Sequence, residues 1–283
     1  MTLPAQNQTT DPELLAALLQ ARQGTAFFAG QLDRLDDAEL DGASLLPNWT
    51  RQHVVSHVAY NAKAISRLVA WAATGVETPM YPSVEVRNDE ITHGVTLGPA
   101  ALRKLFRDSA EQLDADWDNL PTASWRSTVR TIQGREVPAT ATVWMRSREL
   151  WVHAVDLDNG AGFDDLPESV LARLLDDITG AWSARGADIG FEIEITDDDG
   201  GTVRQLSGNG QPEAGEVRGD GADRQSDPAH GEATVISGTP AAVAQWASGR
   251  GTSGITARRS STQGAAALSG TVASEVPAAP AWL

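Results

Sequence analysis

Two helical segments each carry a pair of metal-binding side chains one turn apart, and this feature constrains the fold most strongly. Residues 145–157 (MRSRELWVHAVDL) place Glu149 and His153 four positions apart, so on a helix both side chains lie on one face. A carboxylate oxygen and a neutral imidazole nitrogen can both bind a divalent metal ion. Two ligands make a weak site, so a third ligand is required from another segment.

The best source of that third ligand is the segment WTRQHVVSHVAYNA, residues 49–62, which also has helical periodicity. It places His53 and His57 one turn apart. If Val54 and Val58 face the core, His57 lies beside their apolar stripe, whereas His53 lies nearer the helix start and the solvent. Spacing alone leaves both histidines open, because a histidine on a helix is more often structural than metal-binding.

The first 160 residues predict a bundle of four long helices. Apolar positions recur at helical spacing after recognisable start signals, such as Asp11 followed by Pro12. The four helices are expected to begin at Pro12, after Thr50, at Pro99 and near Ala141, and Gly75 is expected to end the second. A short helix is expected at 85–93, and a hairpin at 128–137 around Gln133-Gly134. Short links between long helices favour an antiparallel four-helix bundle.

The pattern changes after Gly160. A helix at 167–184 precedes two alternating strands, 191–196 and 202–206, that form a predicted hairpin. A short strand at 233–236 and a helix from Pro240 to Trp246 follow. We therefore predict an α+β protein, with residues 1–160 as the bundle and residues 161–283 as a small α/β domain with an antiparallel sheet. Residues 207–231 are rich in Gly, Asp and Glu without periodicity, which predicts a mobile loop.

Charge and cysteine content narrow the possible functions. The chain has 38 acidic and 22 basic residues, a formal net charge of -16, so we expect no binding to nucleic acid or to anionic membranes. An anionic small substrate would need a local basic anchor. No long apolar run or signal segment is seen, and there is no cysteine, which together favour the cytoplasm. Any thiol chemistry must therefore use a thiol from outside the chain.

Other residues near the two pairs have competing interpretations. Asp156 and Arg146 flank the second pair and could hold the ligands in place, or they could form ordinary surface ion pairs. Trp144 and Trp151 lie seven positions apart on the same predicted helix. We expect both to belong to the core rather than to stack on a cofactor.

Four stretches resemble the mycothiol-dependent maleylpyruvate isomerase family, and they occur in the order that the family has them. They read LLPNWTRQHVVSHVAYNA, TGVETPMYPSVEVRNDEI, QGREVPATATVWMRSRELWVHAVDL and ASGRGTSGI. The resemblance covers nearly the whole chain, except that residues 207–231 look longer than the family pattern. It implies a DinB-like metalloenzyme, that is, a four-helix bundle followed by a small α/β domain.

The resemblance also implies site residues. It assigns the metal ligands to His57, Glu149 and His153, and it leaves His53 outside the site. It assigns a catalytic role to Arg250, whose guanidinium would bind a substrate carboxylate. From spacing alone, Arg250 could equally be a cation that complements the dipole at the end of the preceding helix. Zinc is the expected metal because it holds sulfur without redox chemistry, although the same ligands suit iron(II).

The implied reaction is the conversion of maleylpyruvate to fumarylpyruvate in the gentisate route of aromatic breakdown. Addition of a thiolate turns the double bond into a single bond, rotation follows, and loss of the thiolate leaves the trans alkene. Mycothiol would supply the sulfur. The partners are therefore a dicarboxylate and mycothiol, and we expect a monomer. A mycothiol S-transferase on the same scaffold is the alternative, and a bundle without enzymatic activity is a third interpretation.

Overall fold

A computed structural model gives the structure of the chain and describes residues 8–188, 190–197, 199–207, 233–260 and 275–282. The chain divides into two compact units, residues 1–162 and 163–283. Apart from Ser207, the predicted mobile loop at 207–231 lies outside the described residues. No helix among the described residues is both long and apolar enough to cross a membrane.

From residue 8 onwards, the first unit contains five α-helices and a hairpin. The helices are α1 (Pro12–Asp33), α2 (Arg51–Thr74), α3 (Val84–Val95), α4 (Pro99–Asn119) and α5 (Ala141–Asp156), and the hairpin pairs β1 (Thr128–Arg130) with β2 (Glu136–Pro138). The four long helices, the short helix and the hairpin expected from the sequence are all confirmed.

Local signals in the sequence set the helix ends. The Asp11 carboxylate accepts hydrogen bonds from the backbone N–H groups of Glu13 and Leu14 and so caps α1. Thr50 and His53 cap the start of α2 reciprocally, and Gly75 ends it in the left-handed conformation at φ 74°. These caps fix where α2 begins, and therefore which turn of the helix carries His57.

Two apolar clusters show how the helices run. One joins the start of α1 and the start of α5 to the later halves of α2 and α4, through residues that include Leu18, Val143, Leu68 and Leu113. The other joins the end of α1 and the second half of α5 to the early parts of α2 and α4, through Phe28, Leu150, Val54 and Leu102. Helices α1 and α5 therefore run one way and α2 and α4 the other, so antiparallel packing holds between these two pairs.

Helices α2 and α5 are tied together by two arginines. Arg51 donates from Nε to the Leu157 carbonyl oxygen at 2.6 Å and from Nη2 to that of Asp158 at 2.7 Å, which satisfies carbonyls at the end of α5. Arg146 is 1% exposed and donates from Nη1 to the Val58 carbonyl oxygen at 2.6 Å and to Asn61 Oδ1 at 2.9 Å. Arg146 is thus buried in the bundle, and its interpretation as a surface ion pair is wrong.

Helix α3 packs closely on α2 because Gly94 has no side chain. The Ser56 hydroxyl donates to the Ile91 carbonyl oxygen at 2.7 Å, and a Cβ at Gly94 would lie 2.0 Å from Ser56 Oγ and 3.2 Å from the Tyr60 ring. This contact holds α3 against the helix that carries His57.

We expect Gly94→Ala to lower the free energy of unfolding by about 1–3 kcal/mol, the usual cost of overpacking a filled site. Urea denaturation followed by circular dichroism measures this. Gly30→Ala is the matched control, because Gly30 is also helical and nothing lies within 4 Å of its added Cβ. That variant should be neutral or slightly stabilised. Equal stability of the two variants would contradict the packing of α3.

In the part of the second unit that the structure describes, two α-helices accompany a four-stranded sheet. Its elements are α6 (Glu168–Ser183), β3 (Phe191–Thr196), β4 (Thr202–Ser207), β5 (Ala233–Gly238), α7 (Pro240–Ala247) and β6 (Thr256–Ser260). The strand order is β4-β3-β5-β6, with β3 and β5 parallel and the other two pairs antiparallel. The α+β class is confirmed, whereas β6 and the parallel pair of strands were not predicted from the sequence.

Candidate metal centre

The fold brings together one side chain from α2 and two from α5. His57 Nε2 lies 2.8 Å from Glu149 Oε2, and His153 Nε2 lies 3.2 Å from the same oxygen. One possible ligand atom from each residue lies within 4.8 Å of the others. The three side chains are 8%, 14% and 12% exposed in the order His57, Glu149 and His153, so the cluster is largely shielded from solvent.

Neighbouring groups fix the orientation of both imidazole rings. His153 Nδ1 lies 2.7 Å from Asp156 Oδ2, and Asp156 is fully buried, so Nε2 of His153 is directed towards the cluster. The indole of Trp49 meets the His57 ring edge-on, with centroids 5.6 Å apart. The two imidazole rings are perpendicular, with centroids 4.8 Å apart. Asp156 therefore orients a member of the cluster, one of the two roles considered for it.

The protonation of the cluster follows from burial and hydrogen bonding. Burial lowers the pKa of His57 to about 4, which keeps this imidazole neutral at pH 7. Burial also opposes the charge on His153, but hydrogen bonds with Asp156 and Glu149 outweigh it and raise its pKa. Burial would raise the pKa of Glu149, yet hydrogen bonds with His153 and His57 hold it well below its usual range. Glu149 is therefore ionised at neutral pH.

His53 lies outside this cluster because its ring contacts Thr50 at the start of α2. Its Nδ1 lies 3.2 Å from the backbone N of Thr50 and 2.8 Å from the Thr50 hydroxyl oxygen. This is the capping contact that fixes the first turn of the helix. The structure thus places His57, and not His53, beside Glu149 and His153, and the assignment of His57 as a metal ligand stays a prediction.

The donor atoms fit a divalent metal ion. Two imidazole nitrogens and one carboxylate oxygen form the ligand set of many catalytic zinc sites, and the same set suits iron(II). A buried carboxylate between two imidazoles is also a place where positive charge is stabilised. Three protein ligands leave coordination positions open, as a catalytic centre requires.

Two arginines near the cluster were not assigned roles from the sequence. Arg148 Nη2 lies 3.4 Å from Glu149 Oε1, and Arg87 Nη2 on α3 lies 3.4 Å from His57 Nδ1. Arg87 falls within the stretch TGVETPMYPSVEVRNDEI, which carried the resemblance without pointing to any one residue. Only the packing of α3 on α2 reveals that it adjoins the cluster.

Trp144 and Trp151 both belong to the core, as expected. Trp144 is 9% exposed and Trp151 is 5% exposed, and the Trp151 ring stacks on Phe27 with centroids 5.0 Å apart. Neither indole is therefore available as a platform for a cofactor.

Arg250 lies in the second unit, directly after α7. Its Nη1 donates to the Ser248 carbonyl oxygen at 2.6 Å, and its backbone N–H donates to the Gln245 carbonyl oxygen at 2.9 Å. The flanking glycines, Gly249 and Gly251, have φ of 77° and 140°, conformations that side chains with a Cβ rarely adopt. The backbone on both sides of Arg250 thus adopts conformations that favour glycine. The predicted role of Arg250 in catalysis stays a prediction.

Fold and site together define a helical-bundle protein with a candidate His, Glu, His metal centre, followed by a small α/β domain. Residues 21–158 match the family model described as the mycothiol maleylpyruvate isomerase N-terminal domain, and residues 165–271 match the MDMPI C-terminal domain. A comparison with curated protein sequences gave no match.

Two solved structures are similar to this chain over almost its whole length. One is the crystal structure of the mycothiol-dependent maleylpyruvate isomerase, and the other is a histidine-to-alanine mutant of it. Each is 39% identical in sequence, covers 95% of this chain and 97% of its own, and has a TM-score of 0.77. The chain belongs to the mycothiol-dependent maleylpyruvate isomerase family, and the expected enzyme class, an isomerase, is confirmed.

Proposed function

We propose that this protein catalyses the mycothiol-dependent isomerisation of maleylpyruvate to fumarylpyruvate. The observation that carries the proposal is the convergence of His57, Glu149 and His153 in a chain 39% identical over 95% of its length to an enzyme of that name. Residues 1–160 would hold the metal. We place the reaction in the cytoplasm and assign it to a monomer.

The chain's own residues would prepare the site in three ways. His57 and His153 present their Nε2 atoms, and Asp156 prevents the His153 ring from turning away. The ionised Glu149 completes the ligand set with a negative charge in a shielded place, where charge interactions are strong. Arg250 is proposed to bind a substrate carboxylate, because a guanidinium remains charged and can form two parallel hydrogen bonds.

A divalent metal ion and mycothiol would supply the Lewis acid and the sulfur that the side chains lack. A divalent ion held here, zinc being the first choice, would lower the pKa of a thiol and polarise a carbonyl oxygen, while mycothiol would supply the sulfur that adds reversibly to the alkene. The protein itself cannot provide that sulfur because it contains no cysteine.

Activity is therefore expected to require an added small thiol. Proton NMR of maleylpyruvate with the zinc-loaded protein should show conversion in the presence of mycothiol and only the uncatalysed rate without it. Glutathione should substitute poorly, since it shares little with mycothiol beyond the sulfur-bearing group. Sustained turnover in thiol-free buffer would contradict the proposed chemistry.

A further inference from the structure

Arg87 lies beside the candidate metal centre on a helix that is firmly held. It belongs to α3, which the Ser56 hydroxyl and the close approach at Gly94 fix against α2. The residue is partly buried, and its Nη2 lies 3.4 Å from Nδ1 of His57. The candidate ligand atom Nε2 is on the other side of the same imidazole, so the His57 ring lies between the Arg87 guanidinium and the place where a metal ion would bind.

Among the described residues, no acidic side chain forms a salt bridge with Arg87, in contrast to Arg67 and Arg148. Arg67 pairs with Glu90 at 2.7 Å, and Arg148 approaches Glu149 at 3.4 Å. Arg87 contacts Asn88 Oδ1 at 3.2 Å and His57, and both groups are uncharged at neutral pH. Within the described part of the chain, no carboxylate lies within 4.0 Å of the Arg87 guanidinium.

A cation without a salt bridge to the described residues is unusual at this place for a chain with 38 acidic residues. A half-buried guanidinium binds a carboxylate through short charge-assisted hydrogen bonds, and partial burial strengthens them relative to water. The proposed substrate carries two carboxylates, and Arg250 was expected to bind one. The bundle itself therefore offers a binding group for the other.

We infer that Arg87 is a substrate-binding residue that contacts one carboxylate of a cis-dicarboxylate whose remaining atoms lie at the metal centre. This inference rests on the proposed function for the identity of the substrate. It adds a second anionic subsite, contributed by α3 and built into the same unit as the metal ligands.

The test compares two unreactive probes on the zinc-loaded protein without thiol. Calorimetry with maleate, which has two carboxylates, should show Arg87→Ala binding more than about tenfold more weakly than the unmodified protein, since one charged hydrogen-bonding pair is lost. Isocrotonate, the cis acid with one carboxylate, should bind both proteins alike. Arg87→Lys should recover part of the maleate affinity because it keeps the charge without the planar fork.

Metal content and kinetics separate binding from support of the site. Zinc content should be the same in Arg87→Ala and the unmodified protein, and KM for maleylpyruvate should rise more than kcat falls. Arg130→Ala is the control, since Arg130 is exposed and pairs with Glu77 and Glu136 on the surface. That control should match the unmodified protein in every measurement.

Three outcomes would overturn the inference: undetectable maleate binding by the unmodified protein, equal maleate affinity in Arg87→Ala, or loss of zinc from that variant, which would mean that Arg87 supports His57. The proposed function can be contradicted separately from this inference. If maleate binding depends on Arg87 but maleylpyruvate is not isomerised, the anionic subsite stands and the assigned reaction is wrong.

Discussion

Replacing His57 by alanine is expected to reduce zinc affinity by more than about 100-fold and to abolish turnover, because loss of even an outer partner of a ligand costs about 10- to 100-fold. His57 is the member of the cluster that α2 supplies, whereas Glu149 and His153 both come from α5. Without it, a two-ligand site remains. Zinc content after dialysis against a weak chelator measures the effect.

His53→Ala is the matched control for this experiment. His53 lies one turn earlier on the same helix, and its ring is hydrogen-bonded to Thr50 rather than directed to the cluster. We expect this variant to keep its zinc and to lose about 0.5–2 kcal/mol of stability, the usual cost of a lost helix cap. Full zinc occupancy in His57→Ala, or zinc loss in His53→Ala, would contradict the assignment of the ligands.

Arg250→Ala is expected to lower kcat/KM by about 100-fold or more, as found when one partner of a buried charged pair is removed. Zinc content should be unchanged, because Arg250 is not a member of the His57, Glu149 and His153 cluster, and the variant should stay folded. Arg250→Lys should also be poor, since an ammonium group cannot bind a carboxylate through two parallel hydrogen bonds. Steady-state kinetics on maleylpyruvate tests both variants.

The alternative role of Arg250 makes a different prediction. If Arg250 only complements the dipole at the end of α7, Arg250→Ala would lose about 0.3–1 kcal/mol of stability and keep its turnover. Arg258→Ala is a control in the same unit, since Arg258 pairs with Glu194 at 2.6 Å and is 45% exposed. Near-normal turnover of Arg250→Ala would assign Arg250 a structural role.

Much of the bundle could be predicted because its boundary signals are local. Asp11 and Pro12 start α1, Thr50 starts α2 and Gly75 ends it, and each acts through backbone groups within a few residues. The helical periodicity of the apolar residues also follows from packing on one face. Such features are readable from a single chain.

The helix directions depend on contacts that a local pattern does not contain. Residues 75–98 cross over with α3, so α2 and α4 run the same way, although short links between long helices favour antiparallel neighbours. In the second unit, β6 has the short sequence TARRS, in which only Ala257 is a buried apolar residue. Its identity as a strand comes from pairing with β5.

The site was predictable in part for the same reason. The pair Glu149 and His153 follows from spacing on one helix, but the choice between His53 and His57 required the capping contact at Thr50 or the family resemblance. Arg87 could not be found from its own surroundings in sequence, because it comes into contact with His57 only through the packing of α3 on α2.

The most direct test of the proposed reaction uses mycothiol as a minor component. We would mix zinc-loaded protein with maleylpyruvate and about one-hundredth of an equivalent of mycothiol, and follow all species by proton NMR. An isomerase regenerates the thiol in each cycle, so the account predicts full conversion to fumarylpyruvate with free mycothiol at the end. If maleylpyruvate consumption instead stops once one molecule has reacted per molecule of mycothiol, and a stable thioether accumulates, the protein is a transferase and the proposed function is wrong.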